Sequence, residues 1–527
     1  MTADRPNVNP WLIALTVTLA TFMELLDTSI ANVALPYIGG GLGRSYDEVT
    51  WILTTYLVAN AVVLPMSAWL SRVFGRKNYY LACVALFTLT SLFCGVAPTL
   101  GIMLSSRVLQ GIAGGGLAPV AQAILIDTFP AAKRASAFAL YTIVIVTAPA
   151  IGPVLGGWIT DNYSWRWIFF INIPIGILAF LLTTRLVQDP PAFSAERAGV
   201  RRNGKLTVDG VGIGLIAIAS AALEIALDRG QIEDWFGSSY ICWLLAIALL
   251  GWIATVIWEM RVSEPVIDFR LLANRNFAIA NVLFFVFGVG LFGSTTLIPQ
   301  ILQSLYGYRA IDAGLVLGPG ALVISMLAPV SAQLIQRKII HPKTLVMFSV
   351  SIIGAALWHY STFTLATDYR HYVLARAFQG FGYGFFFVPL SVISYSQLRP
   401  DQNNRASSLT NFFRNWGGSF GIALITTVAE RRQQFHQTNL GSAISATSQQ
   451  FTARTEALAD YLVSKGFTGP DAALGAQGSV FHQLQHQVNL LAFMDAFRIL
   501  AWVMLATIPV LFAIRYFKPV GKPPAAH

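Results

Sequence analysis

Residues 107–111 read Arg-Val-Leu-Gln-Gly, and residues 376–380 read Arg-Ala-Phe-Gln-Gly. In both stretches the arginine opens a long apolar run, and a further glycine follows eight residues later, at Gly115 and Gly384. A charged arginine in such a run is costly in lipid and is kept only where it is needed. A repeat that keeps this arginine indicates a membrane protein built from two related helical bundles, an arrangement typical of transporters.

The composition places most of the chain in a lipid bilayer. Of its 527 residues, 55% are hydrophobic and 11% are charged, and the mean hydropathy is +0.60. Soluble domains carry about 25% charged residues, so a water-soluble fold of this length could not hide so much apolar surface. The net charge of +10 does not indicate a nucleic-acid partner, because the basic residues lie in short loops between apolar runs. Three cysteines lie inside apolar runs and are expected to be packing residues: Cys83, Cys94 and Cys242.

A transmembrane helix needs about 20 apolar residues, and the sequence predicts fourteen such spans. Lysine and arginine are rare in the short loops of one side, where only Arg44, Arg166, Arg229, Arg309 and Arg370 occur, and frequent in the loops of the other side. The basic side is expected to be cytoplasmic, so both termini are predicted to be inside. The predicted spans are 11–35, 50–70, 79–97, 101–125, 136–159, 167–187, 209–228, 240–259, 277–304, 313–335, 343–362, 371–395, 406–429 and 493–515.

The repeat extends beyond the two arginine stretches. The span that contains Pro65-Met-Ser-Ala matches the one that contains Pro329-Val-Ser-Ala, and the loop Arg134-Ala-Ser matches Arg405-Ala-Ser. Because the matches keep their order, we predict an all-α integral membrane fold with fourteen transmembrane helices, as two pseudo-symmetric six-helix bundles plus two inserted helices. The predicted domains are 1–190, the N-terminal bundle; 191–275, a linker with the two inserted helices; and 276–527, the C-terminal bundle, which includes an outer loop at 430–492.

Several motifs give the chain a family resemblance. Residues 26–36 read LDTSIANVALP, residues 152–157 read GPVLGG and residues 411–414 read NFFR. Together with the stretch at 107–111, these motifs resemble the major facilitator superfamily, and within it the 14-span drug:proton antiporters of the EmrB type. One departure concerns the loop after the second span, where Arg72 stands in place of the aspartate that many members carry. There, Gly75 and Arg76 are predicted to supply only a tight turn and an anchor at the cytoplasmic side.

The resemblance implies proton-driven export of hydrophobic or amphiphilic drugs across the inner membrane of a Gram-negative bacterium. It also implies a periplasmic adaptor protein that contacts 430–492 and leads indirectly to an outer-membrane channel. From the residues alone, that outer segment is either a solvated loop or a small helical docking surface, and Phe451–Lys465 has a helical composition. A dedicated exporter of one endogenous metabolite remains an alternative.

Acidic residues of the first span form the predicted proton-coupling site. Asp27 lies about 24 Å along the helix from Trp11, and Arg107 lies about 9 Å from the opposite end of its span. In a hydrocarbon core about 30 Å thick these depths nearly coincide, so we expect Asp27 and Arg107 to interact directly or through water. Glu24 lies one turn from Asp27 on the same face, and two neighbouring carboxylates cannot both ionise cheaply. A purely structural role is the alternative for Asp27 and Arg107, and it is the favoured role for Arg376. For Glu24 the alternative is a side chain that reaches into a water-filled cavity and has no proton role.

Polar and aromatic residues within the spans are candidates for substrate binding, because apolar cavities with a few polar groups bind drug-like molecules. Aromatic residues on transmembrane helices are more often packed or lipid-facing, and that alternative stays open for the two phenylalanines. The candidates are Phe22, Gln110, Gln300, Gln303, Gln379, Phe385, Asn411 and Arg414.

Small residues and prolines in the fifth span form a predicted hinge or seal. Small residues let helices approach closely and prolines bend a helix, and a plain packing role explains them equally well. We favour the hinge, because the resemblance places this helix beside the opposite bundle. The residues are Pro149, Gly152, Pro153, Gly156 and Gly157.

The remaining charged residues near span ends are predicted to be peripheral. Asp495 and Arg498 read as an interfacial pair, and Glu224 and Asp228 as solvated edge charges. A membrane enzyme would need several catalytic side chains that converge on one site, and the sequence shows no such set. A non-transporting scaffold would have no need for Asp27 and Arg107 at the same depth. The chain has no Gly-x-x-x-x-Gly-Lys-Ser/Thr stretch, so we expect no ATP site, no cofactor and no metal.

Overall fold

A computed structural model describes residues 9–189, 209–442 and 448–515. Within these ranges the chain is α-helical, with short 3-10 turns and no β-strand. Most of the predicted cytoplasmic linker, at 190–208, lies outside the described residues, as do five residues of the outer loop, at 443–447.

The N-terminal half contains seven helices, of which α6 and α7 together form its sixth span. They are α1, Pro10–Leu42; α2, Tyr46–Phe74; α3, Arg76–Val96; α4, Leu100–Thr128; α5, Arg134–Asn162; α6, Trp167–Phe170; and α7, Asn172–Leu186. Two inserted helices follow: α8, Gly210–Arg229; and α9, Ser239–Arg261.

The C-terminal half repeats this plan with three broken spans and an outer helical segment. Its helices are α10, Arg275–Ser304; α11, Ala310–Leu315; α12, Leu317–Gln336; α13, Pro342–Tyr360; α14, Tyr369–Gly384; α15, Phe387–Tyr395; α16, Asn403–Ser442; α17, Gln449–Ser464; α18, Gly469–Leu505; and α19, Ile508–Phe512.

All fourteen predicted spans fall on helices or on pairs of consecutive helices. Among the described residues, 12 helical segments are long and apolar enough to cross a membrane. The two further predicted spans coincide with α13 and with the first part of α16. The all-helical membrane fold is therefore confirmed, and the count of fourteen spans stays a prediction.

Polar residues at the helix starts fix where the helices begin. The Ser45 side chain accepts a hydrogen bond from the Glu48 amide, and the Glu48 carboxylate accepts one from the Ser45 amide at 3.0 Å, which is a capping box. Thr99 caps α4 with its side-chain oxygen in the same way. Gly75, with φ of +89°, lets the chain turn directly from α2 into α3, as predicted for this loop.

Glycines of the repeated stretch explain why the stretch recurs. A Cβ on Gly111 of α4 would lie 2.3 Å from the carbonyl oxygen of Tyr56 in α2. A Cβ on Gly380 of α14 would lie 2.5 Å from the carbonyl oxygen of Gly320 in α12. Each half thus needs glycine at the same place, because two backbones touch there. The two halves are built on the same helix–helix contact.

The inserted helix α8 lies between the two halves, and α9 covers its outer side. Apolar side chains of α9 are exposed, among them Trp243 at 70% and Leu249 at 64%, as expected of a helix that faces lipid. The predicted solvated position is wrong for Glu224, which is buried and accepts a hydrogen bond from Ser419 of α16 at 2.8 Å. Asp228 is exposed but accepts a hydrogen bond from Thr54 of α2. The inserted helix therefore bonds to both halves.

Most of the outer segment that the structure describes is helical, and a short turn at 465–468 joins α17 to α18. α16 continues to Ser442, and α17 packs against the first part of α18. The helical composition of 451–465 is thus confirmed. At the base of this segment Asp495 pairs with Arg498 at 3.0 Å, as predicted, and also with Arg432 of α16 at 2.6 Å. These bonds tie the outer segment to the membrane helices.

Candidate functional site

Asp27 of α1 and Arg107 of α4 are in direct contact inside the N-terminal half. The Asp27 Oδ2 and Arg107 Nη1 atoms lie 2.6 Å apart, and the two side chains are 1% and 0% exposed. The helix rise sets the depth of each residue in the membrane. Asp27 and Arg107, which were expected at nearly the same depth, indeed form an ion pair. Breaking one partner of such a pair leaves an uncompensated charge in the interior, so each residue requires the other.

Two amide side chains complete the surroundings of the Asp27 carboxylate. Its Oδ1 accepts from Asn172 Nδ2 at 2.7 Å and from Gln110 Nε2 at 3.2 Å. The Arg107 guanidinium donates to Gln110 Oε1 at 2.8 Å and lies 4.5 Å from the centroid of the Tyr56 ring. Gln110, a predicted substrate residue, therefore belongs to the ion-pair network. Asn172 and Tyr56 escaped the sequence analysis, because neutral side chains on other helices carry no pattern that links them to Asp27.

Glu24 lies one turn from Asp27 but has far fewer partners. It is 6% exposed, and its Oε1 accepts one hydrogen bond from Asn60 Nδ2 of α2, at 3.2 Å. Its Oε2 is buried without a hydrogen-bond partner among the described residues. The cation whose charge acts on Glu24 is Arg414 of the C-terminal half. Glu24 thus has one oxygen that can take up a proton without losing a hydrogen bond.

The repeated arginine of the C-terminal half has a different set of partners. Arg376 donates to Gln379 Oε1 at 2.6 Å, to Ser294 Oγ at 3.2 Å and to Thr295 Oγ1 at 2.9 Å. The Arg-x-x-Gln contact is the same as in the N-terminal half, but hydroxyl groups replace the carboxylate. Gln379, another predicted substrate residue, holds the arginine in place.

Two predicted substrate residues on α16 lie at the seam. Asn411 donates to Gln122 of α4 and accepts from the Tyr141 hydroxyl of α5 at 3.4 Å, so it joins the two halves. Arg414 is 3% exposed and bonds to its neighbour Asn415 at 3.2 Å.

The remaining substrate candidates are not brought together with these residues. Phe385 is buried against the rings of Phe348 and Phe381, with centroids 6.0 Å and 5.4 Å away, and is a packing residue in this state. Phe22 is half-buried against an apolar cluster of the N-terminal half. Gln300 and Gln303 are exposed near the end of α10.

The seam is closed at the end that carries the basic loops. The Ser408 hydroxyl donates to the Leu64 carbonyl at 2.9 Å, and Asn404 Nδ2 donates to Ser71 Oγ at 2.6 Å. Near the middle of the membrane helices, the hydroxyls of Thr147 and Ser325 lie 3.3 Å apart. These hydrogen bonds between the halves involve neutral groups, and each is individually weak enough to exchange.

An aspartate also braces this end, although the loop after the second span lacks the usual one. Asp127, near the end of α4, forms an ion pair with Arg76 and accepts a hydrogen bond from Asn403 of the C-terminal half at 2.9 Å. Arg76 thus anchors Asp127 as well as the turn at Gly75. The sequence concealed this role, because the aspartate comes from the end of a helix and not from the loop.

The predicted hinge helix α5 is packed between its own half and the opposite one. A Cβ on Gly152 would lie 2.3 Å from Ser29 Oγ of α1, and one on Gly156 would lie 3.3 Å from the Ile30 Cα atom. On the other side, a Cβ on Gly314 of the C-terminal half would lie 3.0 Å from the Pro153 Cβ atom. The remaining motif residues are Pro149, whose carbonyl accepts from Ser29 at 3.0 Å, and Gly157, which faces Ile311. This position suits a seal, and the role itself stays a prediction.

A small cavity lies between α5 and the C-terminal half. Its walls include Pro149 and Ala150 on one side and Thr295, Leu317 and Arg376 on the other. It holds about 20 Å³, which is room for about one water molecule. Drug-sized ligands occupy pockets of about 300–1,000 Å³. A ligand of that size therefore requires the halves to separate.

Two helical bundles with a repeated arginine core, a closed seam and a buried ion pair define a secondary transporter of the alternating-access class. The family model of the Major Facilitator Superfamily matches residues 17–422, and this chain belongs to that superfamily.

Relatives and solved structures agree with this assignment. The multidrug export protein EmrB of Escherichia coli K12 is 34% identical over 527 residues, which cover 99% of this chain and 98% of that protein. The fatty acid resistance protein FarB of Neisseria gonorrhoeae is 35% identical over 86% of this chain and 88% of its own length. The crystal structure of the human organic anion transporter MFSD10 superposes with a TM-score of 0.58 at 12% identity, covering 95% of this chain and 100% of that one, and shows the shared fold alone.

Proposed function

We propose that this chain is a proton-coupled antiporter that exports hydrophobic or amphiphilic drugs, with the proton gradient as its energy source and without ATP or a cofactor. One observation carries the proposal: the buried Asp27–Arg107 pair lies one helical turn from Glu24, a buried acid with one oxygen that has no hydrogen-bond partner among the described residues. Acidic side chains at such depth mark ion pathways. The name of the relative EmrB, a multidrug export protein, supports the substrate class.

The seam supplies a route from protonation to movement. Ionised Glu24 attracts Arg414 of the opposite half, and this attraction favours the closed arrangement. A proton on Glu24 removes the attraction, so protonation biases the halves toward separation. The Asp27–Arg107 pair holds α1 and α4 together while Glu24 changes charge. Export then follows if drug and proton favour opposite arrangements.

We propose further that the protein lies in the bacterial inner membrane with both termini in the cytoplasm. The excess of lysine and arginine on one side supports this orientation. In that orientation the closed end, with Asn404 and Ser408, faces the cytoplasm.

The outer helical segment fits a docking role in a tripartite efflux pump. Where the structure describes the segment 430–492, it contains the end of α16, the whole of α17 and the first part of α18, and it exposes apolar side chains, which mark interaction sites when they occur together. We infer that a periplasmic adaptor binds here and connects the transporter indirectly to an outer-membrane channel. The exposed large apolar residues are Phe435, Tyr461, Val463, Phe467, Leu474 and Phe481.

Drug efflux from proteoliposomes with an imposed pH gradient tests the central proposal. Asp27→Asn is expected to abolish uphill efflux, because it removes the charge that pairs with Arg107. Asp460→Asn serves as the matched control, since Asp460 is exposed on α17 of the outer segment. Equal uphill efflux by the Asp27→Asn protein and the parent would remove the proton-coupling role of Asp27.

A further inference from the structure

Arg376 is a buried cation whose counter-charge is missing. It is 5% exposed, and its guanidinium donates to the neutral groups of Ser294, Thr295 and Gln379. Among the described residues, no carboxylate oxygen lies within 4.0 Å of it.

The N-terminal half shows what this arrangement lacks. There Arg107 makes the same contact with a glutamine three residues later, and Asp27 supplies a carboxylate at 2.6 Å. A buried cation without a counter-charge is costly. Two hydroxyl groups contact Arg376 where the equivalent arginine has an acid, and a carboxylate would accept a hydrogen bond about twice as strong as a hydroxyl does. The site is therefore built to take up an anionic group from outside the chain.

The position of Arg376 gives the rest of the ligand. Arg376 and Thr295 line the cavity at the seam, whose other walls include the apolar residues Val146, Leu291 and Phe292. The α5 wall belongs to the opposite half, so the cavity widens when the halves separate. A ligand in the widened cavity would set an apolar body against these walls and an anionic group against the guanidinium.

We propose that Arg376 is the anion-recognising residue of the substrate cavity, and that amphiphiles with a carboxylate group are preferred over their neutral equivalents. This inference rests on the proposed export function and names the substrate class of the same cavity. The planar guanidinium can bind both oxygens of a carboxylate, which a lysine or a glutamine cannot do.

Binding of two matched probes to the full-length protein in nanodiscs of neutral lipid tests the proposal. The probes are 2-naphthoate and 2-naphthamide, which have nearly the same shape and differ in charge at neutral pH. The parent protein is expected to bind the naphthoate more tightly. In Arg376→Gln the ratio of the two affinities should fall by about tenfold to a hundredfold, the range for a hydrogen bond to a charged group.

Three comparisons sharpen this test. Arg376→Lys should keep part of the preference, since it keeps the charge and loses the planar fork. Arg309→Gln is the matched control, because Arg309 is exposed beside Asp312 and its loss should leave the ratio unchanged. If Arg376→Gln fails to give a monodisperse protein, Thr295→Val, which removes one partner of the guanidinium, should change the same ratio.

Several results would overturn the inference. An unchanged ratio of naphthoate to naphthamide affinity in Arg376→Gln rejects the inference. The inference is also rejected if Arg414→Gln abolishes the preference for naphthoate while Arg376→Gln keeps it. Displacement of naphthoate by acetate at equal affinity assigns the site to small anions and rejects an amphiphile. Uphill efflux of a neutral drug by the parent tests the export function separately. Absence of uphill efflux refutes the export function. An affinity ratio that stays the same in Arg376→Gln refutes only the anion site.

Discussion

The Asp27–Arg107 pair predicts an unusual pattern of stabilities among three variants. Asp27→Asn leaves the Arg107 guanidinium buried with the Gln110 amide, one backbone carbonyl and two aromatic rings, and without its counter-charge. Arg107→Gln leaves the Asp27 carboxylate with the amides of Asn172 and Gln110 only. Removing one member of a buried pair costs about 3–5 kcal/mol. Each single variant should therefore unfold at markedly lower temperature or denaturant concentration than the parent.

The double variant Asp27→Asn/Arg107→Gln places two neutral amides in the same space. No uncompensated charge remains, so the double variant should be more stable than either single variant, with an interaction energy of at least about 2 kcal/mol. The measurement is a double-mutant cycle of unfolding free energies in detergent micelles. Additive effects of the two substitutions would refute the reasoning, because they would mean that the two charges do not depend on each other. None of the three variants is expected to support uphill efflux.

Three further predictions follow from single contacts. Glu24→Gln should abolish pH-gradient-driven efflux in proteoliposomes and retain downhill drug exchange, because only the titratable oxygen is lost; gradient-driven efflux at the parent rate would contradict this. Gly111→Ala should destabilise the protein by about 1–3 kcal/mol in thermal melts, since the added Cβ meets the backbone of α2. Gly101→Ala is the control and should leave the melting temperature unchanged, because its Cβ meets nothing within 4 Å. Equal melting temperatures for the two variants would count against the close contact. Deletion of residues 440–485 should abolish adaptor binding in a pull-down and leave efflux from proteoliposomes intact, and retained binding would reject the docking site.

Much of the fold could be predicted without coordinates. Length and apolar composition identify the spans, because a helix must satisfy its own backbone in lipid and cross about 30 Å. The repeated Arg-x-x-Gln-Gly stretches revealed two equivalent halves. The depths of Asp27 and Arg107 followed from the fixed rise of a helix, and the two residues are in contact. These quantities depend only on position along a chain.

The partners of each side chain required the arrangement of helices in space. Gln110 bonds to Asp27 and not to a substrate cavity, Phe385 fills an aromatic cluster, and Glu224 is buried at the seam instead of solvated. Asp127 closes the basic end through Asn403, which lies in the other half. Which residue meets which depends on helix rotation and on the fit of neighbouring surfaces. Lipid accepts an apolar residue on every face of a helix equally well. Hydropathy along the chain therefore does not show which face of a helix contacts which neighbour.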